Sequence, residues 1–136
     1  VAICGCADIV HPIGALAIGV VAGIGFVYGF EFIQNKLKVD DVLGVVPLHG
    51  GAGAWGGIAA GIFGSTAMGG AGGVTFMAQL VGTVSGVAVA LAGGFIVYGL
   101  IDKLFGIRLS EEDEYMGADL AVQHISANPE QDMVNH

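Results

Sequence analysis

Between Val42 and Gly64, and again between Val74 and Ile101, the chain carries no formally charged side chain, and a third run, Pro12 to Ile33, is interrupted only by Glu31. Runs of this length constrain the fold more than any other feature of the sequence, because about 20 apolar residues in a helix cross the hydrocarbon core of a bilayer. The longest, from Val74, would extend about 42 Å at about 1.5 Å per residue, so it tilts or protrudes. A helix of a soluble bundle would show a polar stripe, and none is present. Transmembrane strands would need short alternating segments, whereas these runs are continuous and glycine-spaced. Composition agrees: 54% of residues are hydrophobic, 12% are charged and the mean hydropathy is +0.79. The expectation is an all-α integral membrane protein with three transmembrane helices at about 12–33, 42–64 and 74–101, within a membrane region 1–107.

The four basic residues set the orientation. Lys36 and Lys38 fall between the first and second spans, and Lys103 and Arg108 follow the third, so all lie on one side of the expected topology. By the positive-inside rule that side is cytoplasmic, in a multi-pass protein of the cell (plasma or inner) membrane. Segment 108–136 then forms a cytoplasmic tail, and the uncharged loop Ser65 to Gly73 lies outside. Most of the net charge of −8 belongs to this tail, with seven acids and one base after residue 107. Such a balance excludes nucleic acid, which requires a Lys/Arg patch. The chain opens inside an apolar stretch with no initiator Met or signal peptide, as expected of a piece of a longer protein.

Small residues recur four apart: Gly19 with Gly23, Gly25 with Gly29, Gly53 with Gly57 and Gly61, and Gly82 with Gly86. Glycine at this spacing lets membrane helices approach closely. Cys4, Cys6 and His11 spell C-x-C-x4-H, too sparse for a four-ligand zinc site, so neither a metal nor another cofactor is expected.

The candidate functional residue is His49, the one ionisable group inside the second span. An ionisable side chain within a membrane faces a cavity or a partner. Two readings follow: a substrate-pathway residue, or a neutral imidazole bonded to a neighbouring helix. Pro47 removes a backbone donor two residues earlier and Gly50, Gly51 and Gly53 follow, which predicts a distorted helix that other backbones approach closely. Residues one turn away, Val45 and Gly53, share the histidine's face, with Val45 the expected wall of the pathway. Asp40 and Asp41 precede the span and are expected to cap it. Glu31 is expected to pair with Lys36 or Lys38, and Trp55 to pack. No nucleophile, base and orienting group cluster, so an enzyme is not expected.

The run VDDVLGVVPLHGGAGAWGGIAAGIFG, Val39 to Gly64, resembles the tenth-helix signature of the ammonium transporter (Amt/MEP/Rh) family, in which an acidic pair precedes a mid-membrane His-Gly and a glycine-rich segment. HPIGALAIGVVAG is similar to that family's ninth helix, and RLSEEDEYMGADLA to the start of its cytoplasmic tail. The resemblance implies an eleven-helix fold of two inverted repeats, assembled as a homotrimer with one hydrophobic pore per subunit. This chain would supply the end of helix eight through helix eleven plus the tail. It further implies transport of ammonium or ammonia, and possible carriage of methylammonium. His49 matches the second of two pore histidines; the first, the aromatic gate and the outer recruitment site fall outside this sequence. A PII-type regulatory protein is an implied partner at the cytoplasmic face, alongside membrane lipid. The sequence departs from the family at Gly44, where some members carry a further acid, and in the tail. There Gly117 and Asp119 keep the family's G-x-D, while His124 comes one position late and the ending differs. An ammonium sensor on the same scaffold and a structural membrane subunit are the alternatives.

Overall fold

The computed structural model describes residues 1–117 and is mostly helical. The chain divides into two compact units, Val1–Ala92 and Gly93–His136.

In the first unit, helix α1 spans Pro12–Phe32. Its start is locally encoded: His11 is extended and its Nδ1 accepts the Ile13 N–H at 3.3 Å, while Pro12, which has no N–H to leave unpaired, occupies the first helical position. α1 widens at its end into a π-helical turn, Ile33–Leu37, closed by Lys38 in the left-handed region at φ 57°. After a short irregular stretch a second π-helical turn, Val46–Gly51, leads into α2, Ala52–Phe63. The apolar run that begins at Val42 is therefore helical only from its fourth or fifth residue. A short 3₁₀ turn, Thr66–Met68, and a glycine-rich stretch connect α2 to α3, Phe76–Phe105. Among the described residues two helical segments are long and apolar enough to cross a membrane, Pro12–Leu37 and Phe76–Phe105, each with a mean hydropathy of 2.1.

α1 packs against the second π turn and α2. The core between them is made of small groups: Ala2, Cys6, Ile18, Ala52, Ala59 and Ala60 are buried, flanked by Val10, Trp55 and Phe63. Trp55 contributes a polar tie, its Nε1–H donating to the Ile18 carbonyl at 3.1 Å. An indole N–H turned into a helix contact is satisfied by such a partner, and the bond ties half-buried Trp55 of α2 to the middle of α1.

Only some of the four-spaced glycines are used as predicted. A Cβ on Gly29 would lie 3.0 Å from Pro47 Cβ, one on Gly57 would strike Thr83 Oγ1, and one on Gly61 would lie 2.8 Å from Phe76 Cα. Gly56, outside the four-spaced series, sits directly against the Ala2 carbonyl. Gly23, Gly25, Gly82 and Gly86 meet nothing within 4 Å among the described residues. Glycine permits close approach, but a backbone must be present to make it.

The outward surfaces are apolar. Val20, Ile24, Val27, Val81, Val84 and Val89 are all exposed, and α3 buries no residue. Surface of this kind is stable in hydrocarbon or against further protein, not in water.

In the second unit, α3 ends at Gly106, whose φ of 65° suits a glycine cap; its N–H bonds the Asp102 carbonyl at 2.8 Å. Helix α4, Glu111–Met116, opens with Ser110 as N-cap, its Oγ accepting the Asp113 N–H at 3.1 Å. Arg108 donates two bonds to the Glu114 carboxylate, at 2.9 and 3.3 Å. This pairing raises the Arg108 pKa and holds Glu114 below its ordinary value. Asp119 and His124 lie outside the described residues, as does the rest of the expected tail from residue 118.

Candidate pathway site around His49

Accounting for backbone donors explains how the segment carrying His49 is built. The start of any helix leaves N–H groups without an intrahelical acceptor, and in a low-dielectric setting each must find one. Here Asp41 serves two of them. Its Oδ1 accepts the Val45 N–H at 2.7 Å and its Oδ2 the Val46 N–H at 2.8 Å. Pro47 has no N–H to satisfy, and the Leu48 N–H reaches the Gly44 carbonyl at 2.9 Å. Every donor from Val45 to Leu48 is thereby matched.

Gly44 makes this arrangement possible. Its φ of 65° turns the chain so that Asp41 folds back over the helix start, and a Cβ there would lie 2.9 Å from ring atoms of both Phe26 and Phe30. Those rings stack with centroids 5.9 Å apart and form the seat for the turn. The Asp41 residue is almost fully enclosed, with 9% of its surface exposed, and the Gln34 amide Nε2 donates to its carbonyl at 3.4 Å. Asp40, its predicted partner in capping, is exposed and makes no capping bond. Of the acidic pair, one residue caps and the other does not.

The predicted distortion takes a definite form, a π-helical turn over Val46–Gly51. The wide turn ends where the Ala52 N–H is shared between the His49 and Pro47 carbonyls. Such turns are rare, poorly packed along their axis and concentrated at functional positions. On this turn His49 is exposed and Val45, just before it, is half exposed at 49%. A separation of four residues is slightly less than one π turn, so the two remain near neighbours on one face. The His49 imidazole has no hydrogen-bond partner among the described residues. Gly53, the other predicted neighbour, is half-buried with Val1 beside it.

The opposite face of the turn is closed differently. Pro47 sits on Gly29, and an apolar cleft of about 390 Å³ opens between α1 and the turn, lined by Val21, Gly25, Phe32, Pro47, Ala52 and Trp55 among others. His49 and Val45 do not line it. Sequence reading missed this cleft, which arises where Gly25 and Gly29 of α1 oppose Gly51 and Ala52 and no large side chain fills the gap. The paired glycines were its only legible signal.

Glu31 does not pair with Lys36 or Lys38; the one ion pair among the described residues is Arg108 with Glu114. Glu31, Lys36 and Lys38 are all exposed, where an ion pair gains little over separate solvation. No group of metal-ligating side chains occurs among the described residues.

A model described as the Ammonium Transporter Family matches residues 1–127. The ammonium transporter Amt2 of Methanocaldococcus jannaschii is 42% identical over 135 residues, covering 98% of this chain and 32% of the relative. Amt1 of the same organism is 37% identical, covering 96% of this chain and 34% of that relative. The ammonium transporter of Bacillus subtilis is 30% identical over 90% of this chain and 32% of its own length. The chain thus spans about a third of the length of the curated relatives it matches.

Proposed function

The chain belongs to the ammonium transporter family, a family of membrane transporters rather than enzymes, and on that premise we propose that it forms part of a path for ammonium or ammonia beside His49. The observation that carries the reading is the placement of His49: an imidazole on a π turn, without a hydrogen-bond partner among the described residues, within a segment free of other charge from Val42 to Gly64.

The physics favours such a site. A bare ammonium ion loses tens of kcal/mol of hydration on entering a low-dielectric medium, in the order of magnitude of Born estimates, whereas neutral ammonia does not. A path walled by groups such as Val45 therefore passes ammonia readily once the ion has given up its proton, and the proton follows by a separate relay that includes His49, so that net charge crosses and a current is carried. A neutral imidazole then supplies one donor and one acceptor, matched to ammonia's lone pair and N–H groups, with no need of a metal. His49 is the orienting group and Val45 the apolar wall.

The same proposal includes three membrane spans in this chain, near 12–33, 42–64 and 74–101, the eleven-helix inverted-repeat fold and a homotrimer with one pore per subunit. The exposed apolar faces of α1 and α3 support it, since they call for lipid or further helices. A cytoplasmic tail open to a PII-type partner completes the reading.

The test is ammonium-evoked current in proteoliposomes holding the full-length protein, wild type against His49→Ala. The expected result is a current whose size or ammonium selectivity changes with the substitution. Ammonium binding without current in the wild type would instead mark a sensor. A current indifferent to His49→Ala would return the histidine to a structural role.

A further inference from the structure

We propose that Asp41 is a positioning residue for His49, acting through the backbone of the π turn that carries it; the consequence for transport rests on the reading that His49 lines the pathway. Asp41 and His49 are eight positions apart and share no hydrogen bond, so any influence runs through what holds the wide turn in place. A π turn is less favourable than an α turn and persists only when its surroundings specify it.

Asp41 supplies that specification in a way a single-atom cap does not. Its two oxygens take consecutive donors, Val45 N–H at 2.7 Å and Val46 N–H at 2.8 Å. One oxygen on one donor would fix a distance; two oxygens on two adjacent donors also fix the rotation of the first turn about its axis. Pro47 follows without an N–H, so no later donor can compensate until Leu48. The carboxylate is itself held. Its backbone carbonyl accepts from Gln34, on the π turn that ends the preceding helical segment, and the chain between Asp41 and Val45 is locked by Gly44 against Phe26 and Phe30. Rotation set at Val45 and Val46 is carried three residues on to His49, where it decides the direction of the imidazole.

The surroundings of the pair contain little else to do this. The side chains of Val45, Val46, Pro47 and Leu48 have no polar atoms, and Asp40 makes no bond to the turn. Asp41 is thus the one side chain among the described residues that bonds to the start of the turn.

Replacement of Asp41 by Asn separates the roles. It preserves shape but leaves one acceptor oxygen, the other position becoming an NH₂ that cannot accept. The experiment uses full-length protein in proteoliposomes with ¹³C,¹⁵N-labelled histidine, the His49 signals assigned by comparison with His49→Gln. For Asp41→Asn we expect ammonium flux per folded transporter to fall about tenfold, the equivalent of one charge-assisted hydrogen bond. The His49 imidazole nitrogen resonances should move in parallel. Asp41→Glu, which keeps both oxygens, should recover part of each.

If the Asn variant reduces flux while the His49 resonances stay unmoved, Asp41 acts on folding or elsewhere and the proposal is overturned. Unmoved resonances together with unchanged flux overturn it equally. Should Asp41→Asn fail to fold, Asp41→Glu carries the same two readouts. Displaced resonances beside a flux that His49→Ala does not alter would uphold Asp41 as the positioning residue and sink the pathway reading instead.

Discussion

Replacing Gly44 by alanine tests the architecture beneath the site most directly, because two independent costs meet at that residue. The first is conformational: with φ at 65°, alanine in the left-handed region costs about 1–2 kcal/mol. The second is steric. The new Cβ would lie 2.9 Å from Phe26 Cε2 and 2.9 Å from Phe30 Cδ2, distances that force the stacked rings apart. Overpacking of this sort costs about 1–3 kcal/mol. Together the substitution should destabilise the protein by about 2–5 kcal/mol, read as a shift in equilibrium unfolding of the full-length protein in mixed micelles. The two parts separate in a background carrying Phe26→Leu and Phe30→Leu. There the ring contacts are relieved and only the conformational part, about 1–2 kcal/mol, should remain. A cost below about 0.5 kcal/mol in the wild-type background would refute the left-handed turn. Equal costs in the two backgrounds would refute the aromatic seat.

Gly57→Ala should destabilise by about 1–2 kcal/mol because its Cβ strikes Thr83 Oγ1 on α3, and adding Thr83→Ala should restore most of the loss in the same unfolding assay. The Arg108 and Glu114 pair gives a pH dependence whose sign is fixed by the depressed Glu114 pKa. Its contribution to local order is present above the carboxyl's unfolded value and is lost as pH falls through the lower folded value, which amide resonances of Glu111–Met116 would follow. Both side chains are exposed, at 81% and 42%, so Arg108→Ala should leave the global melting temperature within about 1 °C.

The spacing of charges along the sequence was enough to point to the two long apolar helical segments, Pro12–Leu37 and Phe76–Phe105, because an uncharged run of this length has few stable solutions outside lipid or a protein interior. It also marked the start of the segment holding His49: an acid, a glycine and a proline before a glycine-rich run is a local pattern, and local patterns survive without tertiary context. The predicted disturbance at Pro47 has the same origin, since a missing N–H is a property of the residue itself.

Which acid caps was not legible, because Asp40 and Asp41 differ only in their position relative to Gly44, and the turn at Gly44 is seated by two phenylalanines from α1. The use of the glycines was likewise decided in three dimensions: Gly29, Gly57 and Gly61 meet a partner backbone or side chain, whereas Gly25, Gly82 and Gly86 have the same spacing and meet none among the described residues. The form of the distortion follows this rule too. Pro47 alone dictates only that one bond is lost; the wide turn that results, and with it the direction of His49, depends on Asp41 bonding two adjacent N–H groups while Gly29 leaves room for the proline ring. Sequence determined what each residue could contribute chemically, and the tertiary structure decided which contributions were used, because a hydrogen bond or a close contact exists only when its partner is brought within reach.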